Sequence, residues 1–369
     1  MSLTQYRTLG ASGLIVSPLA LGTMTFGAGR WGTDEKTSRA IFDTYIAAGG
    51  NFVDTADIYS GGLSEEMLGR FVADAGLRDR LVIATKSGFS RQQGTPLAGG
   101  NGRKNIRAGI EGSLKRLQTD YIDMYWMHVW DRTTPAEEVV GTMSDAVRAG
   151  KILHYGFSNT PGWYIAKVAT LAAAHGLPGP VGLQYSYSLI DRGVELDIAP
   201  AGAEFGLGLV PWSPLGGGLL TGKYGRDMLA RAEQAPAMPD KASDAEKDGS
   251  DGRLNGDNPF GGMLFTERNF DVVDTVRAIA QDTGKSMAQV SLAWVAARPG
   301  VSSVLIGASR PDQLTQNIAS LDVTLSEQHL QQLDIATALP LASPYFIFKL
   351  PRPALFGGSD VAPWASTPH

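Results

Sequence analysis

Cysteine is absent from the 369 residues of this sequence, which excludes disulfide bonds and thiolate metal sites. A basic excess is absent as well: the formal net charge is −5, and lysine and arginine form no cluster typical of nucleic-acid binding. We therefore expect neither a metal centre nor a nucleic-acid partner. A chain without cysteine suits a reducing compartment.

Long apolar runs are also lacking. The longest are too short and too interrupted to span a bilayer. The first residues, "MSLTQYRTLGASGL", have neither the charged start nor the apolar core of a signal peptide. We expect a cytoplasmic protein without a membrane partner. The sequence leaves the choice between monomer and homo-oligomer open.

What the sequence contains is an ordinary globular composition, with 43% hydrophobic and 19% charged residues. Such a chain can bury a sizeable core. Short apolar runs, each followed by Gly, Ser, Asn or Asp, alternate with segments of helical spacing. The predicted strands are Leu19–Gly22, Phe52–Asp54, Leu81–Thr85, Ile122–Trp126, Ile152–Phe157, Val181–Gln184, Leu207–Trp212 and Val304–Ile306. The predicted helices between them include Asp34–Ala48, Ser64–Ala73, Lys104–Leu117, Pro135–Ala149, Gly162–Ala174 and Leu196–Glu204.

This alternation predicts parallel strands joined by helical crossovers. Eight such strands favour an α/β fold, a (β/α)8 TIM barrel over residues 1–369 in one domain, with its function in the loops after the strands. A doubly wound nucleotide-binding sheet is the alternative. It requires G-x-G-x-x-G after the first strand, and "LALGTMTFG" does not supply that pattern.

Three segments lie outside the alternation. The stretch "YRTLGASGLIVSPL" predicts an N-terminal β-hairpin with Gly10 and Gly13 in its turn, placed at the bottom of the barrel. Residues 224–266 form a long polar loop after strand seven, and loops of that length are typically lids or binding loops. Residues 340–369 form a C-terminal tail rich in proline and aromatic residues.

Four side chains able to handle protons follow three consecutive predicted strands. Asp54 and Tyr59 follow the second strand, Lys86 the third and His128 the fourth. Each has an ordinary structural explanation: a rim lysine is usually solvated, an aspartate readily caps a turn, and a histidine after a strand is as often a core residue. A barrel brings strand ends together, so the joint arrangement favours proton chemistry.

The motifs around these residues resemble those of the aldo-keto reductases. The resemblance rests on "NFVDTADIYS", "ATKSG", "MHVWD", the long stretch from His128 to Asn159, Gln184, "VPWSPLGGGLLTGKY" and "LIGASRPDQLTQN", in that order. The pattern is closest to the branch of bacterial reductases and potassium-channel beta subunits. It implies reduction of an aldehyde or ketone with hydride from a nicotinamide cofactor.

The resemblance implies a tetrad of Asp54, Tyr59, Lys86 and His128. Tyr59 is the expected general acid, and His128 is expected to bond the carbonyl oxygen. The phenol of free tyrosine has a pKa of about 10, and a nearby lysine ammonium favours the phenolate. Lys86 is the candidate for that ammonium, with Asp54 as its ion-pair partner. Asp57 is assigned to loop structure.

Cofactor contacts follow from the same resemblance. Gly22, Thr23 and Met24 are expected to line the start of the cofactor, Ser158, Asn159 and Gln184 its carboxamide, and Trp212 the nicotinamide ring. Ser213, Leu215 and Lys223 are expected at the pyrophosphate, and Gly307, Ser309, Arg310, Gln313 and Asn317 at the adenosine end. Arg310 favours NADP(H), because arginine suits bidentate phosphate contact; a solvated Arg310 would leave NAD(H) open as an alternative.

Phe26, Trp31 and Trp130 are expected to rim a pocket for a small carbonyl substrate. Three other readings remain. A channel-beta-like regulatory subunit would bind nicotinamide with little turnover, and a barrel lyase would use Lys86 as a Schiff-base nucleophile. The third, a P-loop in "GGGLLTGKY", is disfavoured because Tyr224 replaces the required Ser or Thr and the preceding "VPWSP" breaks the required strand-to-helix turn.

Overall fold

The computed structural model describes residues 2–27, 32–229, 254 and 261–362. Two short strands, β1 (Arg7–Thr8) and β2 (Ile15–Val16), pair antiparallel. The remaining strands are β3 (Leu19–Gly22), β4 (Phe52–Asp54), β5 (Val82–Ser87), β6 (Ile122–Met127), β7 (Ile152–Ser158), β8 (Gly182–Gln184), β9 (Gly208–Leu209) and β10 (Val304–Ile306). They form one sheet in the order β10-β3-β4-β5-β6-β7-β8-β9, and every pairing is parallel.

The two ends of this sheet meet. The N–H of Leu209 donates to the carbonyl of Gly300 at 2.8 Å, and the N–H of Ser302 donates to the carbonyl of Leu209 at 2.9 Å. A few residues later, Val304 pairs with Leu19 in register. The segment from residue 300 to 306 thus bonds to β9 on one side and β3 on the other. The predicted (β/α)8 barrel is confirmed.

Helices cover the outside of the sheet. The helices of the described ranges are α1 (Glu35–Ala47), α2 (Leu63–Ala75), α3 (Arg103–Leu117), α4 (Ala136–Arg148), α5 (Gly162–Ala174), α6 (Ile198–Phe205), α7 (Gly261–Leu264), α8 (Glu267–Thr283), α9 (Met287–Ala296), α10 (Pro311–Ile318), α11 (Glu327–Ala336) and α12 (Arg352–Leu355). Side-chain caps fix several starts: Asp34 accepts from the N–H of Thr37 at 2.7 Å, and Ser286 with Gln289 forms a capping box. Within these ranges, none of the helices is both long enough and apolar enough to traverse a bilayer.

Alternation along each strand divides the core into two clusters. On β6, Met124 and Trp126 point into the barrel, whereas Tyr125 and Met127 pack outward beneath the helices. The interior cluster also receives Leu9 from the N-terminal hairpin, with no exposed surface. The hairpin is therefore present where it was predicted, and its turn residue enters the barrel interior.

Strand seven is shorter than predicted. The expected strand Leu207–Trp212 is reduced to Gly208–Leu209, followed by an isolated bridge between Ser186 and Trp212. Pro211 is the physical reason, because proline has no N–H to donate to a ladder. The ladder is interrupted only on the side of residues 300–306: the N–H of Trp212 still donates to the carbonyl of Tyr185 at 2.8 Å, and the loop with several predicted cofactor residues begins after it.

The remaining predicted segments are described in part. Of the long loop 224–266, the structure describes residues 224–229, 254 and 261–266; Leu254 is buried, and its N–H donates to the Tyr224 hydroxyl at 3.0 Å. Contacts divide the chain into two units, Met1–Thr337 and Ala338–His369. The second unit contains the predicted tail, with a short turn at Ile347–Lys349 and α12.

Candidate active site

The carboxyl ends of three neighbouring strands bring four predicted side chains together. Asp54 is the last residue of β4, Lys86 the next to last of β5, and His128 follows β6 directly. Tyr59 opens a tight turn, Tyr59–Gly62, just after β4. Asp54 and Lys86 are each 1% exposed and His128 is 8% exposed, so their charges and polar atoms depend on protein partners.

Lys86 occupies the centre of this group. Its ammonium donates to Asp54 Oδ1, to the carbonyl of Thr55 at 2.7 Å and to the hydroxyl oxygen of Tyr59 at 3.2 Å. Burial opposes the charged ammonium, but the Asp54 carboxylate outweighs burial and raises the pKa of Lys86. Lys86 therefore remains an ammonium at neutral pH, in contact with the tyrosine oxygen.

The turn that presents Tyr59 has a strained backbone and is held in place by side-chain hydrogen bonds. Ser60 adopts a left-handed conformation with φ 50°, and its hydroxyl donates to the carbonyl of Phe26 at 2.9 Å. Asp57 ties the same loop down: its N–H donates to the carbonyl of Lys86 at 3.0 Å, and its carboxylate accepts from Arg91 at 2.8 Å. Burial, opposed by Arg91, raises the pKa of Asp57 to about 6.

His128 is a neutral imidazole in this setting. Burial, followed by the nearby Lys86 charge, lowers the pKa of His128 well below its usual range. Its ring meets the Phe89 ring edge-on with centroids 4.8 Å apart, and the Tyr59 ring at 6.1 Å. Among the described residues, its buried Nδ1 has no hydrogen-bond partner. The ring therefore has hydrogen-bonding capacity left for a further group.

The second oxygen of Asp54 has partners that the sequence analysis missed. Trp126 Nε1 donates to Asp54 Oδ2 at 3.0 Å, and Gln184 Nε2 donates to the same oxygen at 2.8 Å. Gln184 was expected to contact only the cofactor. Trp126 follows the inward alternation of β6, which is the one sequence signal able to find it. Phe89, beside His128, carried no signal at all.

Two of the predicted carboxamide residues lie at the neighbouring strand end. Ser158 ends β7, in register with Gln184 at the end of β8. Asn159 follows in a left-handed conformation with φ 50°, and its side-chain N–H donates to the carbonyl of His128 at 2.9 Å. The structure thus joins the fourth, fifth and sixth strand ends of the barrel into one polar edge.

Comparisons with known proteins decide the family. A family model of the aldo/keto reductases matches residues 18–338 of the chain. This chain belongs to the aldo/keto reductase family. The family resemblance drawn from the motifs is therefore confirmed, and the match spans the barrel from β3 to the end of α11.

Similar proteins of this family differ in their described roles. An uncharacterized oxidoreductase, YrpG of Bacillus subtilis, is 35% identical over 340 residues, covering 89% of this chain and 95% of the relative. A probable voltage-gated potassium channel subunit beta of Oryza sativa is 36% identical over 321 residues, covering 86% and 92%. An NADP(+) aryl-alcohol dehydrogenase of Phanerodontia chrysosporium is 30% identical over 351 residues, covering 91% and 86%.

The first predicted cofactor positions of this aldo/keto reductase lie after β3. Gly22 ends that strand and is partly exposed, as is Met24. Thr23 is fully buried, and its hydroxyl donates to the carbonyl of Asp54 at 3.1 Å and bonds the Ser64 hydroxyl at 2.9 Å. Its N–H also donates to the carbonyl of Asp54, at 2.9 Å, so Thr23 is fully bonded within the protein and its expected cofactor contact stays a prediction.

The loop after β9 carries the predicted pyrophosphate residues of this aldo/keto reductase. Trp212, Ser213 and Leu215 are partly exposed, and Ser213 adopts φ 51°. A turn follows at Gly216–Thr221, and the exposed Lys223 has its ammonium 5.1 Å from the ring centroid of Tyr224. The loop therefore presents the Lys223 cation to the solvent.

The predicted adenosine positions cluster at the start of α10. Gln313 Oε1 accepts from the Ser309 N–H at 2.9 Å and from its hydroxyl at 3.1 Å. Asn317 donates to the carbonyl of Gly307 at 3.2 Å. Arg310 is exposed and pairs with the equally exposed Asp312 at 3.2 Å, so most of its guanidinium faces solvent.

The predicted substrate rim is only partly supported. Phe26 is fully buried and packs against Phe71 with ring centroids 6.2 Å apart, so its ring is a core element rather than a rim. Trp31 lies outside the described residues. Trp130 is partly exposed and packs edge-on against Trp163, with centroids 5.5 Å apart. Phe89, 41% exposed beside His128, is the additional aromatic group at this edge.

Proposed function

We propose that this protein reduces an aldehyde or ketone to an alcohol, with NADP(H) as the hydride source and Tyr59 as the general acid. One observation carries the proposal: the Lys86 ammonium contacts both the Asp54 carboxylate and, at 3.2 Å, the oxygen of Tyr59. A cation at that distance favours the phenolate that remains once the phenol has given up its proton. Family membership and an aryl-alcohol dehydrogenase relative support the same reaction class.

The residues present fit a nicotinamide cofactor. Two non-glycine residues at predicted contact positions, Asn159 and Ser213, hold left-handed backbone conformations with φ 50° and 51°. Such conformations cost of order 1–3 kcal/mol and cluster at ligand clamps and active sites. At the adenosine end, Gly307 has open space where a side chain would sit, beside the exposed Arg310. A 2′-phosphate matches the bidentate donors of arginine.

Each side chain then has one task. When bound, the cofactor supplies a hydride to the carbonyl carbon. His128, held neutral by its surroundings, donates an N–H to the carbonyl oxygen and orients it. Tyr59 transfers its phenolic proton to that oxygen, the O–H bond of the alcohol forms, and the Lys86 ammonium stabilises the phenolate. Solvent returns the proton to Tyr59.

The aromatic groups at the open edge favour a flat, apolar carbonyl compound. Phe89 packs on the His128 ring. Trp130, two residues after His128, packs against Trp163 of α5 and forms a second aromatic surface. Aromatic walls with a few polar groups are typical of pockets for such ligands. We therefore propose an aromatic aldehyde or ketone as the substrate class.

The test is NADPH and NADH consumption with a panel of aldehydes that includes aromatic ones, beside the Tyr59→Phe variant. We expect NADPH turnover that falls by two or more orders of magnitude in the variant, because general-acid catalysis contributes about 10²–10⁴-fold. Turnover that survives in Tyr59→Phe would remove Tyr59 from its role. Tyr121→Phe is the matched control, because Tyr121 is a partly exposed tyrosine just before β6, at the end of the strand opposite to His128.

A second function has one specific observation in its favour, the channel-beta relative at 36% identity. A nicotinamide-binding regulatory subunit would bind NADPH tightly and turn over none of the panel. The lyase alternative is disfavoured by the structure, because an ammonium paired with Asp54 is not a nucleophile. Borohydride trapping with a carbonyl compound would detect a Lys86 adduct if that reading were right.

A further inference from the structure

We propose that Trp126 is a positioning residue, whose indole N–H holds the second oxygen of Asp54 and thereby orients Lys86 against Tyr59. The proposal deepens the proposed function and rests on it. Asp54 Oδ1 faces the ammonium, while Oδ2 accepts from Trp126 at 3.0 Å and from Gln184 at 2.8 Å. Both oxygens of this buried carboxylate are therefore satisfied, which a buried charge requires.

Strand register places the indole correctly. Lys86 on β5 and Trp126 on β6 are direct register partners, so both side chains enter the barrel at the same level. Asp54 on β4 reaches them from the other side of Lys86. An ammonium and an N–H donor thus approach one carboxylate from adjacent strands, each on its own oxygen.

The barrel makes room for this indole at two other strands. A Cβ on Gly156 of β7 would lie 2.7 Å from Trp126 Cζ3, and a Cβ on Gly182 of β8 would lie 3.0 Å from its Cη2. Gly156 and Gly182 are also register partners. Two adjacent positions therefore lack a side chain where the ring lies, and the fully buried Trp126 is fixed in the orientation that points Nε1 at Asp54.

A neutral donor suits this position. It stabilises the ionised form of Asp54 without competing with Lys86 as a second cation would. Among the described residues, Tyr59 accepts from Lys86 at 3.2 Å, and His128 senses the Lys86 charge through its lowered pKa; neither is bonded to Oδ2. Removal of the N–H therefore makes Asp54 easier to protonate, and the ion pair needed by Tyr59 is lost at a higher pH.

The experiment replaces one atom group. Trp126 is substituted by β-(3-benzothienyl)alanine, in which sulfur replaces the indole N–H and the ring shape is kept. The control is the same substitution at Trp294, a fully buried tryptophan whose Nε1 has no hydrogen-bond partner among the described residues. Both proteins are assayed as full chains, with NADPH and an aromatic aldehyde, from pH 5 to 9.

We expect kcat of the Trp126 analogue to fall at least tenfold at neutral pH with the aldehyde KM little changed. The acidic limb of its pH–rate profile should move up by about one unit, which corresponds to the loss of one charge-assisted hydrogen bond. The Trp294 analogue should match the unmodified protein. The proposal would be overturned if the pH–rate profiles of the two analogues superimposed, because a loss of packing alone does not shift the acidic limb of such a profile.

Unfolding in urea at pH 7 separates this proposal from the proposed function. The unfolding equilibrium constant of the Trp126 analogue should rise about tenfold or more above that of the Trp294 analogue, because only Trp126 loses a bond to a charged group. If the unmodified protein turns over no carbonyl compound, the proposed function fails. The unfolding constants of the two analogues still show whether Trp126 stabilises Asp54. Equal unfolding constants would overturn the assignment of Trp126 to Asp54.

Discussion

Replacement of Lys86 by methionine removes the one charge that links Asp54 to Tyr59. The Lys86 ammonium and the phenolate that Tyr59 becomes on giving up its proton are separated by 3.2 Å. At an effective dielectric constant of 20, two unit charges at that distance attract each other by about 5 kcal/mol. Each 1.36 kcal/mol is a factor of ten in rate. We therefore expect kcat for carbonyl reduction to fall roughly a thousandfold or more, with aldehyde KM less affected.

The same variant should also lose stability. Methionine leaves the Asp54 carboxylate buried without its cation, and such breaks in a buried ion pair cost about 3–5 kcal/mol. The double variant Asp54→Asn/Lys86→Met leaves no unpaired charge, so part of the free energy of unfolding should return while kcat stays low. This difference separates the chemical role of the ammonium from its structural one.

The assay is NADPH absorbance for kcat and urea unfolding for stability, both at pH 7. Lys151→Met is the matched control, because Lys151 forms an exposed pair with Glu111 at 2.7 Å, and such pairs contribute only about 0–1 kcal/mol. A Lys86→Met protein that retains kcat within tenfold of the unmodified chain would refute the reasoning. Recovery of kcat in the double variant would refute it equally.

Two further predictions concern cofactor choice and pH. Arg310→Met should raise the NADPH Kd about tenfold with NADH binding unchanged, since one exposed charge-assisted contact is worth about 1.5 kcal/mol. The control is Arg103→Met, at an exposed arginine that begins α3. Equal weakening of NADPH and NADH binding in Arg310→Met would contradict the assignment of Arg310 to the 2′-phosphate. With the pKa of Asp57 raised to about 6, its proton stabilises the fold below pH ~4 and that stabilisation is lost as pH rises to 6. The free energy of unfolding of Asp57→Asn, measured in urea, should therefore rise by about 2–3 kcal/mol relative to that of the unmodified protein between pH 4 and pH 7. A difference between the two proteins that stays the same at every pH would contradict this.

Sequence patterns were most reliable where the information is local. The strands Leu19–Gly22, Phe52–Asp54 and Val304–Ile306 match the predicted bounds without change, because each is a short apolar run bounded by turn residues. The site followed from position as well. Asp54, Lys86 and His128 stand at the ends of consecutive parallel strands, and a barrel gathers such ends at one face.

The failures of prediction have an equally physical origin. Phe26 follows a strand end, as a rim residue should, but the loop folds back and buries its ring against Phe71. The regular part of strand seven is short because Pro211 cannot donate towards residues 300–306, although Trp212 still bonds to the chain after β8. Neither outcome follows from periodicity, because each depends on what the neighbouring segment leaves room for.

The sequence by itself determined the order of strands and helices, and the residues that carry the candidate chemistry. Only the tertiary structure decided their partners. Trp126 lies 72 residues from Asp54 and Gln184 lies 130 residues away, yet both donate to the same carboxylate oxygen. Those contacts exist because strand register and barrel closure set which inward-facing side chains share a level, and neither quantity is written in the local pattern of any one strand.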